Sequence, residues 1–222
     1  MNSRRIFLGV LGGVLAGWCT GLRAADTAAE PMVWGVVALS GIGGHATETI
    51  GAPKVVEGAV VFDGKKDGLL VSANPLAGRA TWTVEVWFKP DEQGPAEQRF
   101  WHAQDGAGAR ALIETRLDGR GAWWLDTYLM QPGNEGRPLI DPQRKHPTGQ
   151  WHWVALRYDG KTMAHFVNGE KEREGPVVFG PMGAGQTSLG VRQNRVHWFK
   201  GAIREVRVTS QVLPEEKLQR AK

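Results

Sequence analysis

The segment QWHWVALRYDGKTMAHFVNGEK, Gln150 to Lys171, decides the fold. Two strand-like runs, Trp151–Tyr158 and Thr162–Val167, are separated by Asp159-Gly160-Lys161, and a second turn follows at Asn168-Gly169. Asp-Gly and Asn-Gly supply the left-handed backbone that tight β-turns need. The segment therefore predicts a β-meander.

Working outward, the same punctuation continues in both directions. Strand-like runs recur at 33–39, 60–62, 69–72, 81–89, 99–104, 111–117, 122–130, 188–192 and 196–209, with Gly, Pro and Asn between them. No long helical period appears before Pro214. Regularly spaced strands with turn signals predict an all-β, two-sheet sandwich. At the C-terminal end, Leu213-Pro214-Glu215-Glu216 predicts a short helix, with Pro at its first turn and glutamates at its positive end.

These passages together resemble the laminin-G-like, concanavalin A-like jelly-roll family. The resemblance rests on Trp151, Val154, Ala155, Tyr158, Asp159 and Gly160; on Phe166-Val167-Asn168-Gly169; on Phe199, Gly201, Ile203 and Glu205-Val206-Arg207-Val208; and on Leu213, Glu216 and Leu218. Two earlier pieces, Val60–Val71 and Thr81–Pro90, match as well. It covers about residues 33–220. It implies an antiparallel two-sheet jelly roll with one concave outer face that often serves as a ligand groove. It does not choose among lectins, glycosidases, lyases and adhesion modules, because one fold hosts many functions.

The N-terminus reads as an export signal. Ser3–Gly9 resembles the twin-arginine motif through Arg4-Arg5 and Phe7-Leu8, an uncharged Gly-rich run follows from Ile6 to Leu22, and Ala24-Ala25 suits signal peptidase. The run is shorter than the roughly 20 apolar residues of a membrane span. The expected organisation is a signal peptide over 1–25, a flexible lead over 26–32 and one domain over 33–222, in a periplasmic or secreted bacterial protein without membrane attachment after cleavage. Removing 1–25 takes away three arginines and no acid, so the formal charge falls from +4 to +1. With no Lys/Arg block among aromatics, nucleic acid is not an expected partner. The lone cysteine, Cys19, lies in the signal, so the mature chain has no disulfide and no Cys-based metal or redox site.

Strand alternation assigns faces. Trp82, Val84, Val86 and Phe88 share an inner face, as do Ala111, Ile113, Thr115 and Leu117; Trp123, Leu125, Thr127 and Leu129; and Val154, Leu156 and Tyr158. The outer sets are then Glu85 and Trp87; Glu114 and Arg116; Trp124, Asp126 and Tyr128; Trp153 and Arg157. Rings offer flat apolar surface to sugar C–H faces, and carboxylates and guanidinium groups hydrogen-bond hydroxyls or uronate carboxylates. These nine residues are expected to gather on the outer face of one sheet as a glycan groove. The alternative is structural: Trp87 and Trp153 pack under a loop, and the charges form cross-strand pairs.

Catalytic motifs are absent. Glu170-Lys-Glu172-Arg-Glu174 has the acidic density of a glucanase strand but lacks its Asp and reads as a solvated hairpin edge; Glu114 and Asp126 are the better carboxylate pair. His102, His146, His152, His165 and His197 are scattered without ligand spacing. Calcium is the plausible ion, at Asp63/Asp67 or at Asn134, Glu135 and Asp141. The sequence thus points to an exported, non-catalytic module for a carbohydrate or cell-surface partner. A glycosidase or lyase on the same scaffold, and a protein-assembly module, are the alternatives.

Overall fold

The computed structural model describes Met1 and residues 30–221. The export motif, its apolar run and Ala24-Ala25 lie outside the described residues.

Among the described residues, sixteen strands form two antiparallel sheets. Sheet A has the order β14 (Glu170–Pro176), β13 (Thr162–Val167), β12 (His152–Tyr158), β6 (Trp82–Pro90), β16 (Lys200–Thr209), β4 (Ala59–Asp63) and β3 (Lys54–Val56), with β1 (Met32–Gly35) also on β16. Sheet B runs β10 (Arg137–Ile140), β9 (Ala122–Met130), β8 (Arg110–Leu117), β7 (Glu97–Asp105), β15 (Gly185–Leu189), β5 (Gly68–Val71) and β2 (Thr47–Ile50), with β11 (His146–Pro147) also on β9. No helix among the described residues is long and apolar enough to cross a membrane.

The deciding segment folds as its turn residues require. Asp159 Oδ1 accepts the amides of Lys161 and Thr162 at 2.8 and 2.7 Å, which closes the β12–β13 turn. At the β13–β14 turn both Asn168 and Gly169 have left-handed backbone, φ 49° and 76°. Gly201, at the start of β16, has a second kind of reason. A Cβ there would lie 2.3 Å from the Lys89 carbonyl and 2.5 Å from the Phe199 ring, so only glycine lets β16 pair with β6 at that point.

The core lies between the sheets. Val84, Val86, Val154, Leu156, Ile203 and Val206 are all fully buried. Phe88 of β6 stacks on Phe100 of β7 at 4.2 Å and 7°, and meets Trp123 of β9 edge-on at 5.0 Å. Each such ring contributes roughly 1.5–3 kcal/mol by burial. A second knot joins Trp82, Tyr158 and Phe179, and the Tyr158 hydroxyl donates to the Phe179 carbonyl at 2.5 Å. A buried polar contact also crosses the sandwich: Thr127 Oγ1 of β9 lies 3.0 Å from His165 Nδ1 of β13. Burial drives the His165 pKa down to about 3, so the ring is neutral in the core.

Several boundaries differ from the sequence expectation. The expected C-terminal helix is a single 3-10 turn, Glu215–Lys217, because Pro214 and Leu218 on either side are extended. The run expected at 196–209 becomes strand only from Lys200, since Arg195 and His197 have left-handed backbone. Glu170–Pro176 is an edge strand with mostly exposed residues, although Glu172 turns inward to His146 at 2.7 Å.

Val154→Asp places an unpaired carboxylate between the sheets. It is expected to lower stability by on the order of 3–5 kcal/mol, read from urea unfolding followed by far-UV circular dichroism. A variant as stable as the parent means that the two sheets do not pack on this face.

Candidate functional site

The nine outer residues divide between the two sheets. Glu85, Trp87, Trp153 and Arg157 lie on β6 and β12, on the outer face of sheet A. Glu114, Arg116, Trp124, Asp126 and Tyr128 lie on β8 and β9, on the outer face of sheet B. The expectation of one shared groove is therefore corrected. Alternation assigned each residue correctly to an outer face, but it carries no information on which sheet a strand joins.

The outer face of sheet A is largely closed by the chain's own C-terminal segment. Thr83 Oγ1 donates to the Gln211 carbonyl at 2.8 Å and accepts the Leu213 amide at 3.0 Å. Arg157 Nη1 donates to the Leu213 carbonyl at 2.7 Å, and its guanidinium lies 4.7 Å from the Phe166 ring centre. Glu85 Oε1 accepts the Gln219 amide at 2.7 Å. Leu213 and Leu218 bury themselves on Ala155, Ala164 and Phe166. Burial raises the Glu85 pKa despite the Gln219 amide and Arg207.

Beyond this strap, Trp87 stacks on Trp153 at 5.5 Å and tilts against Trp151 at 5.3 Å. Arg204 sits over both Trp87 and Trp151, at 4.9 and 4.8 Å, and Arg207 sits 5.4 Å over Trp153. Cation–π contacts already occupy these rings. The rings flank a groove of about 690 Å³ that Arg207, Gln219 and Arg220 complete.

Sheet B presents a different surface. A bulge in β7 between Arg99 and Trp101 lets Phe100 and Trp101 both enter the core. It also sets Arg99 opposite Glu114, and His102 opposite Leu112, on the outer face. Glu114 and Asp126 are directly opposed on β8 and β9. Two facing carboxylates repel each other, and arginines hold them together. Arg99 Nε lies 2.8 Å from Glu114. Arg116 donates to Asp126 through Nε at 2.9 Å and Nη2 at 2.7 Å, and Nη2 lies 3.8 Å from Glu114. Glu97 closes the network against both arginines. Arg110, Leu112, Tyr128, Pro138 and Arg192 complete the wall of a cavity of about 230 Å³. Trp124 flanks the network opposite Arg116, with Lys145 6.0 Å over its ring.

The electrostatics follow from burial. Glu114, only 4% exposed, has its pKa pushed up to about 7, first by burial and then by the charge of Asp126, against the pull of Arg99 and Arg116. Burial likewise raises Asp126, although Arg116 opposes it. His102 falls to about 3 through burial and the charges of Arg192, Arg110 and Arg99. Its Nδ1 accepts the Gln193 amide at 3.1 Å, so the ring is a neutral anchor for the loop after β15.

Three arginines of this site escaped the sequence reading. Arg110 was legible, since extending the β8 alternation by one residue puts it on the face of Leu112, Glu114 and Arg116. Arg99 was hidden by the bulge. Arg192 ends the run expected as strand over 188–192, but β15 stops at Leu189, so Arg192 comes from the loop that follows, where alternation assigns no face.

The carboxylates considered for calcium are turned to backbone amides. Asp63 Oδ1 accepts the amides of Lys65, Lys66 and Asp67, and Asp67 Oδ1 accepts that of Ala52. Asp141 Oδ1 accepts the Gln143 amide. No group of three or more His, Cys, Asp or Glu side chains among the described residues is placed to share an ion.

The sequence profile of one known family, described as the concanavalin A-like lectin/glucanases superfamily, matches residues 63–219. The chain belongs to this superfamily. No curated protein sequence matches the chain. Among solved structures, this superfamily member is similar to domain 4 of AbnA, a GH43 extracellular arabinanase from Geobacillus stearothermophilus in complex with arabinotriose. The identity is 19%, the match covers 86% of this chain and 97% of that one, and the TM-score is 0.64. It is also similar to the botulinum neurotoxin serotype D ligand-binding domain in complex with N-acetylneuraminic acid, at 14% identity and TM-score 0.61, over 83% of this chain and 48% of the other. A SAP-like pentraxin from Limulus polyphemus matches at 18% identity and TM-score 0.56, over 72% and 78% of the two chains. At these identities the likeness is one of fold.

The raised Glu114 pKa has a defined pH signature. The folded value lies above the ordinary carboxylate value of 4.5, so the folded chain holds a proton that the unfolded chain has lost between 4.5 and about 7. Stability from this group is full below 4.5 and falls as pH rises through 7. Glu114→Gln removes that dependence. The stability difference between variant and parent is expected to move in favour of the variant as pH rises from 4.5 to 8, read from urea midpoints; a constant difference means that Glu114 titrates alike in the folded and unfolded chains.

Proposed function

We propose that the protein is an exported, non-catalytic carbohydrate-binding module whose site is the outer face of sheet B. The observation that supports this most is the contrast between the two outer faces. Sheet A is strapped by residues 211–219, and its tryptophans already hold arginines. Sheet B keeps a concave, charged and aromatic surface in which Tyr128 and Trp124 flank buried hydrogen-bonding groups. Rings beside a few placed polar groups suit a sugar, which has both C–H faces and hydroxyls. The ligands of two similar structures, arabinotriose and N-acetylneuraminic acid, agree with a glycan.

The carboxylates of this face are poorly placed for turnover. Glu114 is held by Arg99, and Asp126 by Arg116. A general acid and base need lone pairs free to meet the scissile bond, and here guanidinium groups take Glu114 Oε1 and Asp126 Oδ2. One observation favours an enzyme: a pKa of about 7 on Glu114 suits a general acid. Glu114→Gln separates the readings, since it changes affinity modestly in a lectin and abolishes turnover in a hydrolase or lyase.

Export rests on Arg4-Arg5 and the apolar run after them. Replacing both arginines with lysines is expected to hold the protein in the cytoplasm, checked by cell fractionation. Unchanged export means that the general secretory route carries it.

Binding is tested on a glycan array, with calcium and with a chelator, to include an ion at the loop rim. Trp124→Ala is expected to weaken glycan binding by about 1–3 kcal/mol while leaving the melting temperature nearly unchanged, because the ring lies outside the core. An unfolded variant, or one with full affinity, removes Trp124 from the site.

A further inference from the structure

On the outer face of sheet B four arginines meet three carboxylates, and two of the arginines have no ion pair among the described residues. Arg99 and Arg116 are engaged by Glu97, Glu114 and Asp126. Arg110 and Arg192 line the same cavity, yet neither has a carboxylate within ion-pair distance among the described residues. Arg110 Nε is buried and has no acceptor; its contact is the Tyr128 ring, 5.7 Å away. Arg192 is near enough to Arg110 and Arg99 that their charges, added to burial, lower its pKa.

A half-buried guanidinium without an ion pair is costly, and two close together are more so, even though the charge of Glu114 offsets part of that cost for Arg192. Folding alone does not call for such an arrangement, because Gln or Met fills the same volume without repulsion. An anion that enters the cavity from solvent supplies what is missing. Its shape is limited by what is present. Guanidinium groups pair best with planar two-oxygen acceptors. The cavity, about 230 Å³, falls below the ~300 Å³ at which drug-sized pockets begin, so it admits one ring or one substituent of a longer chain. Leu112, Pro138 and the Tyr128 ring give it apolar walls, which suit the carbon skeleton that carries the acid.

We propose that this cavity takes the carboxylate of an acidic sugar, a uronate or a sialate, with Arg110 and Arg192 as its partners. The proposal rests on the glycan-binding reading above and narrows it to a ligand class. Arg99 and Arg116 are already neutralised and hold the cavity's shape. Arg110 and Arg192 carry the selectivity.

The test is isothermal titration of the full chain with trigalacturonate and with sialyllactose, each beside its methyl ester, and with a sulfated lactose. A neutral and acidic glycan array runs in parallel. At least one acid is expected to bind about tenfold or more tighter than its ester, the scale of a hydrogen bond to a charged group. In the Arg110→Gln/Arg192→Gln double variant the acid is expected to fall to the affinity of the ester. The ester's own affinity should stay within about twofold, and the melting temperature should hold or rise as the repulsion is relieved. Equal binding of acid and ester, or binding of neutral glycans alone, overturns the carboxylate assignment and leaves the glycan reading standing. Preference for the sulfated sugar overturns it in favour of a tetrahedral anion. No binding to any glycan removes both. A double variant that melts far below the parent shows that the two arginines already have internal partners, and the premise fails.

Discussion

The stack of Phe88 on Phe100, 4.2 Å apart across the sandwich, is the contact on which the rest depends. It joins β6 at the centre of sheet A to β7 at the centre of sheet B, and Trp123 and Phe199 close around it. Once these rings face inward, strand alternation leaves no choice for their neighbours. Glu85 and Trp87 must face out on one side, and Arg99 on the other. The β7 bulge belongs to the same constraint, since it lets Phe100 and Trp101 both enter the core and brings Arg99 opposite Glu114. The candidate site is thus a consequence of how the core is filled.

The two outer faces then diverge because of what covers them. On sheet A, the end of the chain returns over β6, β12 and β13, satisfies Thr83, Glu85 and Arg157, and buries Leu213 and Leu218. Among the described residues, nothing comparable crosses the centre of sheet B. The charges there are instead settled among themselves by three carboxylates and two arginines, with two guanidinium groups left over. Fold stability and ligand selectivity therefore rest on different members of one charge cluster. The paired arginines keep the opposed strands β8 and β9 from repelling each other, and the unpaired ones face the cavity.

Buried titratable groups divide in the same way. His165 and His102 are both neutral because burial disfavours their charged form, and both hold structure together: His165 across the sandwich, His102 to the loop that delivers Arg192. Glu114 is the exception. Its burial and its neighbour Asp126 place its titration close to neutrality, where protonation of the site responds to surroundings.

By itself the sequence determined the jelly roll. Asp159-Gly160 and Asn168-Gly169 fixed the meander, and period-two alternation assigned the apolar inner residues of β6, β8, β9 and β12. Those are local properties, because turn conformation and face depend on a residue and its immediate neighbours. Which sheet each strand joins was not legible, and so Glu85, Trp87, Trp153 and Arg157 were grouped with Glu114, Arg116, Trp124, Asp126 and Tyr128 although the core separates them. Only the tertiary structure decided that. It also decided that the C-terminal segment closes one face, that the β7 bulge adds Arg99, and that a loop adds Arg192. Pairing between distant strands and the seat of a loop depend on long-range packing, and no periodicity along the chain encodes either.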